Sequence, residues 1–132
     1  MKTTSIILFC LLWIGFACEE DKSNLKAMAP IIGTWAEERY EDSVKVLSKH
    51  QNLQENRYGF TFMQSGKFVE RKNSGPCATP PIVYKNFDGK WKRDNDSLVH
   101  IQVGYWGGEM KYDMEIVFMS SDTLKIMYNY KN

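Results

Sequence analysis

A chain of 132 residues, 43% of them hydrophobic and 25% charged, has room for one packed domain and enough apolar side chains to fill it. Its 17 lysines and arginines face 16 acids, for a formal charge of +1, so there is no electrostatic footprint for nucleic acid or for an anionic membrane surface. Partners have to be met through shape and apolar contact.

Lys2 precedes the apolar run IILFCLLWIGFA, residues 6–17. That run is short of the ~20 residues that cross a bilayer and has the length of a secretory-signal core. Gly15 and Ala17 provide the small side chains that signal cleavage needs, and the run stops at Cys18, which Glu19, Glu20 and Asp21 follow directly. Cleavage immediately before a cysteine resembles the lipobox of bacterial lipoproteins, with Gly15 in the place where leucine is commoner. The resemblance implies that residues 1–17 are a lipoprotein signal peptide. It also implies that Cys18 is the lipid attachment site, carrying a thioether-linked diacylglycerol and an acyl chain such as palmitate on its amine. Several chains are physically required, because one myristoyl chain binds only marginally and each buried CH₂ adds ~0.8 kcal/mol. The alternative is an ordinary signal peptide in which the cysteine falls there by chance. The three acids fit a plain solvated tether, and they also resemble the patch that routes some lipoproteins to the outer cell surface. The implied location is the bacterial cell envelope, as an outer-membrane, surface-exposed lipoprotein whose membrane partner is reached through Cys18.

Residues 19–30 are polar, lack sustained periodicity and end in Pro30. With Cys18 they form an expected tether, 18–30, that could extend ~40 Å at 3.3–3.6 Å per residue. Cys10 leaves with the signal and Cys18 is taken by lipid, so Cys77 stands without a disulfide partner, and burial is its expected state.

From residue 31 the period is two. IIGTWAEERY opens the domain with Gly33 and Trp35 on one face of a strand. SVKVLSKHQNLQEN, 43–56, could open as a strand and finish as a loop or helical turn. RYGFTFM places Tyr58, Phe60 and Phe62 together, and QSG turns into KFVERK. NSGPCATPP, 73–81, is a long link stiffened by prolines. FDGKWKR repeats the Gly-x-Trp spacing at Gly89 and Trp91. SLVHIQV aligns Val99, Ile101 and Val103, and EMKYDMEIVFM aligns Met110, Tyr112, Met114, Ile116 and Phe118. TLKIMYNY closes with Leu124, Ile126, Tyr128 and Tyr130. The links SG, RDND, GYWGG and SSD are of hairpin type and predict antiparallel neighbours. The expected fold is all-β: an antiparallel meander of seven or eight strands that closes on itself, or folds into two layers, to bury its apolar face.

The two Gly-x-Trp motifs, together with the tether, the meander and the size, resemble a small lipocalin-like lipoprotein of the bacterial envelope, over residues 31–130. The resemblance implies a lipocalin-like barrel over 31–132. The longer lipocalins carry a late arginine beside the first tryptophan, whereas here no arginine follows Arg93.

A lipocalin-type role implies that the inward residues Trp35, Tyr58, Phe60, Phe62, Trp91, Tyr112 and Phe118 wall a pocket for a small apolar or amphipathic ligand, with few polar groups. The alternative is that these rings simply fill the barrel. The loops at 73–81 and 104–108, with Cys77, Tyr105 and Trp106, would then meet a protein partner as an interaction or inhibitor module. Tyr105 and Trp106 also fit a plain continuation of two strands. Chemistry is not expected: there is no Gly-rich phosphate loop, no His or Cys pair at metal spacing, and no nucleophile with a legible base. No cofactor and no metal is expected either, and Asp94 and Asp96 have a sufficient role in a turn.

Overall fold

The structure, a computed structural model, describes residues 30–130. The expected signal peptide, the lipid attachment site at Cys18 and nearly all of the tether lie outside those residues. Eight strands follow in order: β1 Gly33–Glu41, β2 Val44–His50, β3 Gly59–Phe62, β4 Lys67–Asn73, β5 Tyr84–Arg93, β6 Leu98–Tyr105, β7 Gly108–Met119 and β8 Thr123–Tyr130. The ambiguous 43–56 segment resolves into β2 and a link, 51–58. All eight strands join in one closed antiparallel barrel. Closure removes the bare edges that a sheet of this size would otherwise expose.

The ring departs from a simple meander at one place. Strands β3 to β8 follow one another around it, but β1 pairs with both β2 and β3, and β2 pairs with β8. Since every pairing is antiparallel, β2 and β3 flank β1 and run in the same direction. A two-residue hairpin cannot make that connection, and the link 51–58 is long enough to do so.

Two bulges re-aim side chains. One lies between Glu37 and Arg39 in β1, the other between Ile116 and Phe118 in β7. Beyond the second, Phe118 stands opposite Lys125 and Met119 opposite Leu124. Strict alternation would have turned Phe118 inward; the extra residue turns it out, 49% exposed, and puts Met119 against the core instead.

The ends of the barrel differ. At one end the chain enters at Ile31, and the links 63–66, 94–97 and 120–122 gather there. This end is packed solid. Trp35 is fully buried beside Phe60 and donates its indole N–H to the Ile31 carbonyl at 2.9 Å. Trp91 donates to the Met63 carbonyl at 2.8 Å. Phe60, Phe62, Phe68 and Trp91 form a chain of rings with centroids 5.1–5.6 Å apart. The two motif glycines serve the sheet. Gly33 has φ +127°, and a Cβ there would meet Lys49; a Cβ on Gly89 would lie 2.4 Å from the Gln102 carbonyl oxygen, inside the β5–β6 ladder. The cation over Trp35 is Lys49, with Nζ 5.0 Å from the ring centroid.

Candidate functional site

The other end of the barrel is open, and each inward column of side chains changes character as it climbs towards it. In β4 the alternation of KFVERKN sets Phe68 in the core, Glu70 above it and Lys72 above that, all on one face. In β2 Leu47 lies in the core and Lys45 above it. Tyr58 surmounts Phe60 and Phe62; Tyr112 and Met110 surmount Met114; Tyr128 and Tyr130 surmount Leu124 and Ile126. The result is a cup of about 370 Å³ with an aromatic wall and a charged floor. That volume falls within the ~300–1,000 Å³ of small-molecule sites.

The floor is a closed hydrogen-bond network. Glu70, only 3% exposed, accepts the Tyr58 hydroxyl at 2.5 Å and the Tyr112 hydroxyl at 3.1 Å on Oε1, and the Lys72 ammonium at 2.7 Å on Oε2. The Tyr58 and Tyr128 hydroxyl oxygens are 2.5 Å apart. A phenol has one hydrogen, and that of Tyr58 goes to Glu70, so Tyr128 donates to Tyr58. Burial pushes the phenols of Tyr58, Tyr112 and Tyr128 well above the usual tyrosine range, and the nearby Glu70 charge adds to it. They stay neutral donors throughout the physiological range. Lys45 pairs with Glu37 at 2.7 Å and sits in an aromatic box, 3.5 Å from the Tyr58 ring centroid and 5.1 Å from those of Tyr40 and Tyr128. No buried side-chain nitrogen or oxygen among the described residues lacks a partner.

The sequence-predicted residues divide. Tyr58 and Tyr112 line the cup, and so do Tyr105 and Trp106, which the β6–β7 turn brings to its mouth. Trp35, Phe60, Phe62 and Trp91 belong to the solid core below. Phe118 is a correction, because the β7 bulge carries it to the outer surface. Cys77 is a second correction: it is exposed on the 74–83 link, where the Thr79 hydroxyl at 3.1 Å draws its thiol below the usual range. Gly75 and Pro76 of the same link reach the cup wall. The expectation of few polar groups also fails, since Lys45, Glu70 and Lys72 all face inward. Their signal was present in F-x-E-x-K and in K-x-L, where a charge shares a strand face with a core residue.

Outside the barrel, Ser48, His50 and Glu38 meet. Ser48 donates to Glu38, and its Oγ lies 3.0 Å from His50 Nε2. Glu38 approaches that same imidazole nitrogen at 3.5 Å and accepts from Arg57 at 3.1 Å. The carboxylate therefore does not hold the far side of the ring, as a base-orienting partner would. The cluster ties β1 to β2 and to the 51–58 link. Among the described residues no group of His, Cys, Asp and Glu could hold a metal ion, and no helix is long and apolar enough to cross a membrane.

Residues 31–126 match the model of a protein family described as a lipocalin-like domain. No curated protein and no solved structure matches the chain.

Proposed function

The chain belongs to the lipocalin-like domain family, and on that footing we propose that it binds a small amphipathic molecule in the tyrosine-walled cup, without chemistry, while lipid on Cys18 holds it to the bacterial envelope. The observation that carries the binding reading is the asymmetry of the barrel: a solid core fills one end, and the same strands leave a cup of about 370 Å³ at the other. A core that needed only to be filled would have continued its aliphatic columns upward. Tyr58, Tyr112, Tyr128 and Tyr130 instead line a common space, a wall suited to a ring or short chain with a polar end.

Calorimetric titration of the full chain with naphthalenemethanol, an uncharged ring of fitting size, is expected to show saturable binding. Met110→Trp, which places an indole in the cup, is expected to abolish it. Heat that never saturates, or that Met110→Trp leaves unchanged, would remove the cup as a ligand site.

The support for anchoring is the sequence alone: the apolar run 6–17, its small residues and the cysteine that ends it. In a bacterial host, Cys18→Ser is expected to eliminate incorporation of a fatty-acid analogue and release the protein from the membrane fraction. Label that persists on the variant would contradict this assignment.

A second reading, a docking module for another protein, draws on the rim. Tyr40, Trp106 and Tyr130 line the mouth and are more than half exposed, and Val83 stands on the neighbouring link. Under that reading Trp106→Ala weakens capture of the partner, whereas Met110→Trp, on the inner wall of the cup, does not.

A further inference from the structure

We infer that the cup selects molecules bearing an anionic oxyacid group, carboxylate or sulfonate, and that the Lys72 ammonium is the group that meets it. The inference rests on the binding reading above and adds the class of ligand.

The donors and acceptors of the floor are unequally used. The Glu70 oxygens are taken by two phenols and one ammonium, and the Tyr58 oxygen receives Tyr128. That carboxylate has little left for a ligand. An ammonium carries three N–H groups. Lys72 spends one on Glu70 at 2.7 Å and another on the Met110 thioether sulfur at 3.5 Å, a weak acceptor. Lys45 spends one on Glu37, and its remaining N–H groups stand among the rings of Tyr40, Tyr58 and Tyr128. A molecule entering the cup therefore meets ammonium N–H groups beyond those the two carboxylates hold.

Of the two ammoniums, Lys72 is the one within reach. Its side chain is 16% exposed, against 6% for Lys45. It stands on the wall beside Met110 and over the Phe87 ring, whose centroid is 5.5 Å from Nζ. An anionic oxygen can replace the Met110 sulfur while the contact with Glu70 is kept. The exchange trades a weak acceptor for a charged one and separates no ion pair. The formal charges around the cup, Glu37 and Glu70 against Lys45 and Lys72, cancel, so an anion enters against no net opposing charge. A cation would have to displace Lys72 from Glu70, and the aromatic box that would otherwise receive it already holds Lys45.

The test compares two probes with the same ring, 1-naphthalenesulfonate and naphthalenemethanol, each titrated into the full chain by calorimetry. The sulfonate is expected to bind at least about tenfold more tightly, the worth of a charge-assisted hydrogen bond in a partly buried site. Lys72→Met is expected to collapse that ratio towards one, and Lys72→Arg to preserve it. Lys72→Met leaves Glu70 buried without its counter-ion, so the paired variant Glu70→Gln with Lys72→Met, which removes both charges, serves as the folded comparison and is expected to collapse the ratio equally. Equal affinities in the wild type, or a ratio that persists in the paired variant, overturn the inference while naphthalenemethanol binding leaves the cup reading in place. If neither probe binds, both readings fall.

Discussion

Trp35→Ala is expected to lower the unfolding free energy by about 3–5 kcal/mol, the range for a large buried aromatic reduced to a methyl group. That is a substantial share of the ~5–15 kcal/mol that holds a typical domain together. The indole is wholly buried, and its N–H satisfies the Ile31 carbonyl. Truncation therefore loses ring contacts, opens a cavity beside Phe60 and orphans a carbonyl where the chain enters the barrel. Trp35→Phe separates the parts, keeping most of the ring while losing the donor, and should cost about 1–3 kcal/mol. Urea unfolding followed by far-ultraviolet circular dichroism measures both. A midpoint that Trp35→Ala leaves in place would mean that the closed end carries little of the fold's stability.

Glu70→Ala has the next largest expected effect, a loss of about 3–5 kcal/mol, because it breaks a buried ion pair from one side. Lys72 would keep its charge with no carboxylate within 2.7 Å, and the hydroxyls of Tyr58 and Tyr112 would lose their common acceptor. Combining Glu70→Gln with Lys72→Met removes both charges together and should recover much of the loss, since the single substitutions share one interaction and are not additive. The decisive quantity is the difference between the urea midpoints of the single and paired variants. If Glu70→Ala unfolds at the wild-type midpoint, the floor is solvated and the network contributes nothing to the fold.

These two residues show what periodicity can and cannot reveal. Trp35 was legible: a tryptophan two residues after glycine, at the head of a period-two segment, had to face the core of whatever sheet formed. The barrel followed from the count of strands and the shortness of their links, because a sheet that large with one apolar face must close. The order of the first hairpin was not legible, since nothing in residues 51–58 says whether the chain returns beside β2 or across β1. Phe118 was misplaced because a bulge inserts one residue without leaving a turn signal. Glu70, Lys45 and Lys72 were overlooked for a different reason. Sorting residues into a wet face and an apolar face assigns charges outward by definition, and so hides an interior that turns polar towards one end. The alternation itself places Glu70 two residues after Phe68, on the same strand face.

The β2–β8 seam has a consequence for how the chain is made. It joins residues 45–48 to residues 123–126, and it is the only place among the described residues where the second strand meets the last. When the chain emerges N-terminus first, β1 to β7 can pair in turn, yet the ring stays open until β8 arrives. Over that interval the nascent sheet has two bare margins, β2 on one side and β7 on the other, each a template for a neighbouring chain. The closing event spans most of the domain, so it is slow to find and late to form. A chain that ends before Thr123 would be a sheet with both margins exposed, a species inclined to join its own kind edge to edge.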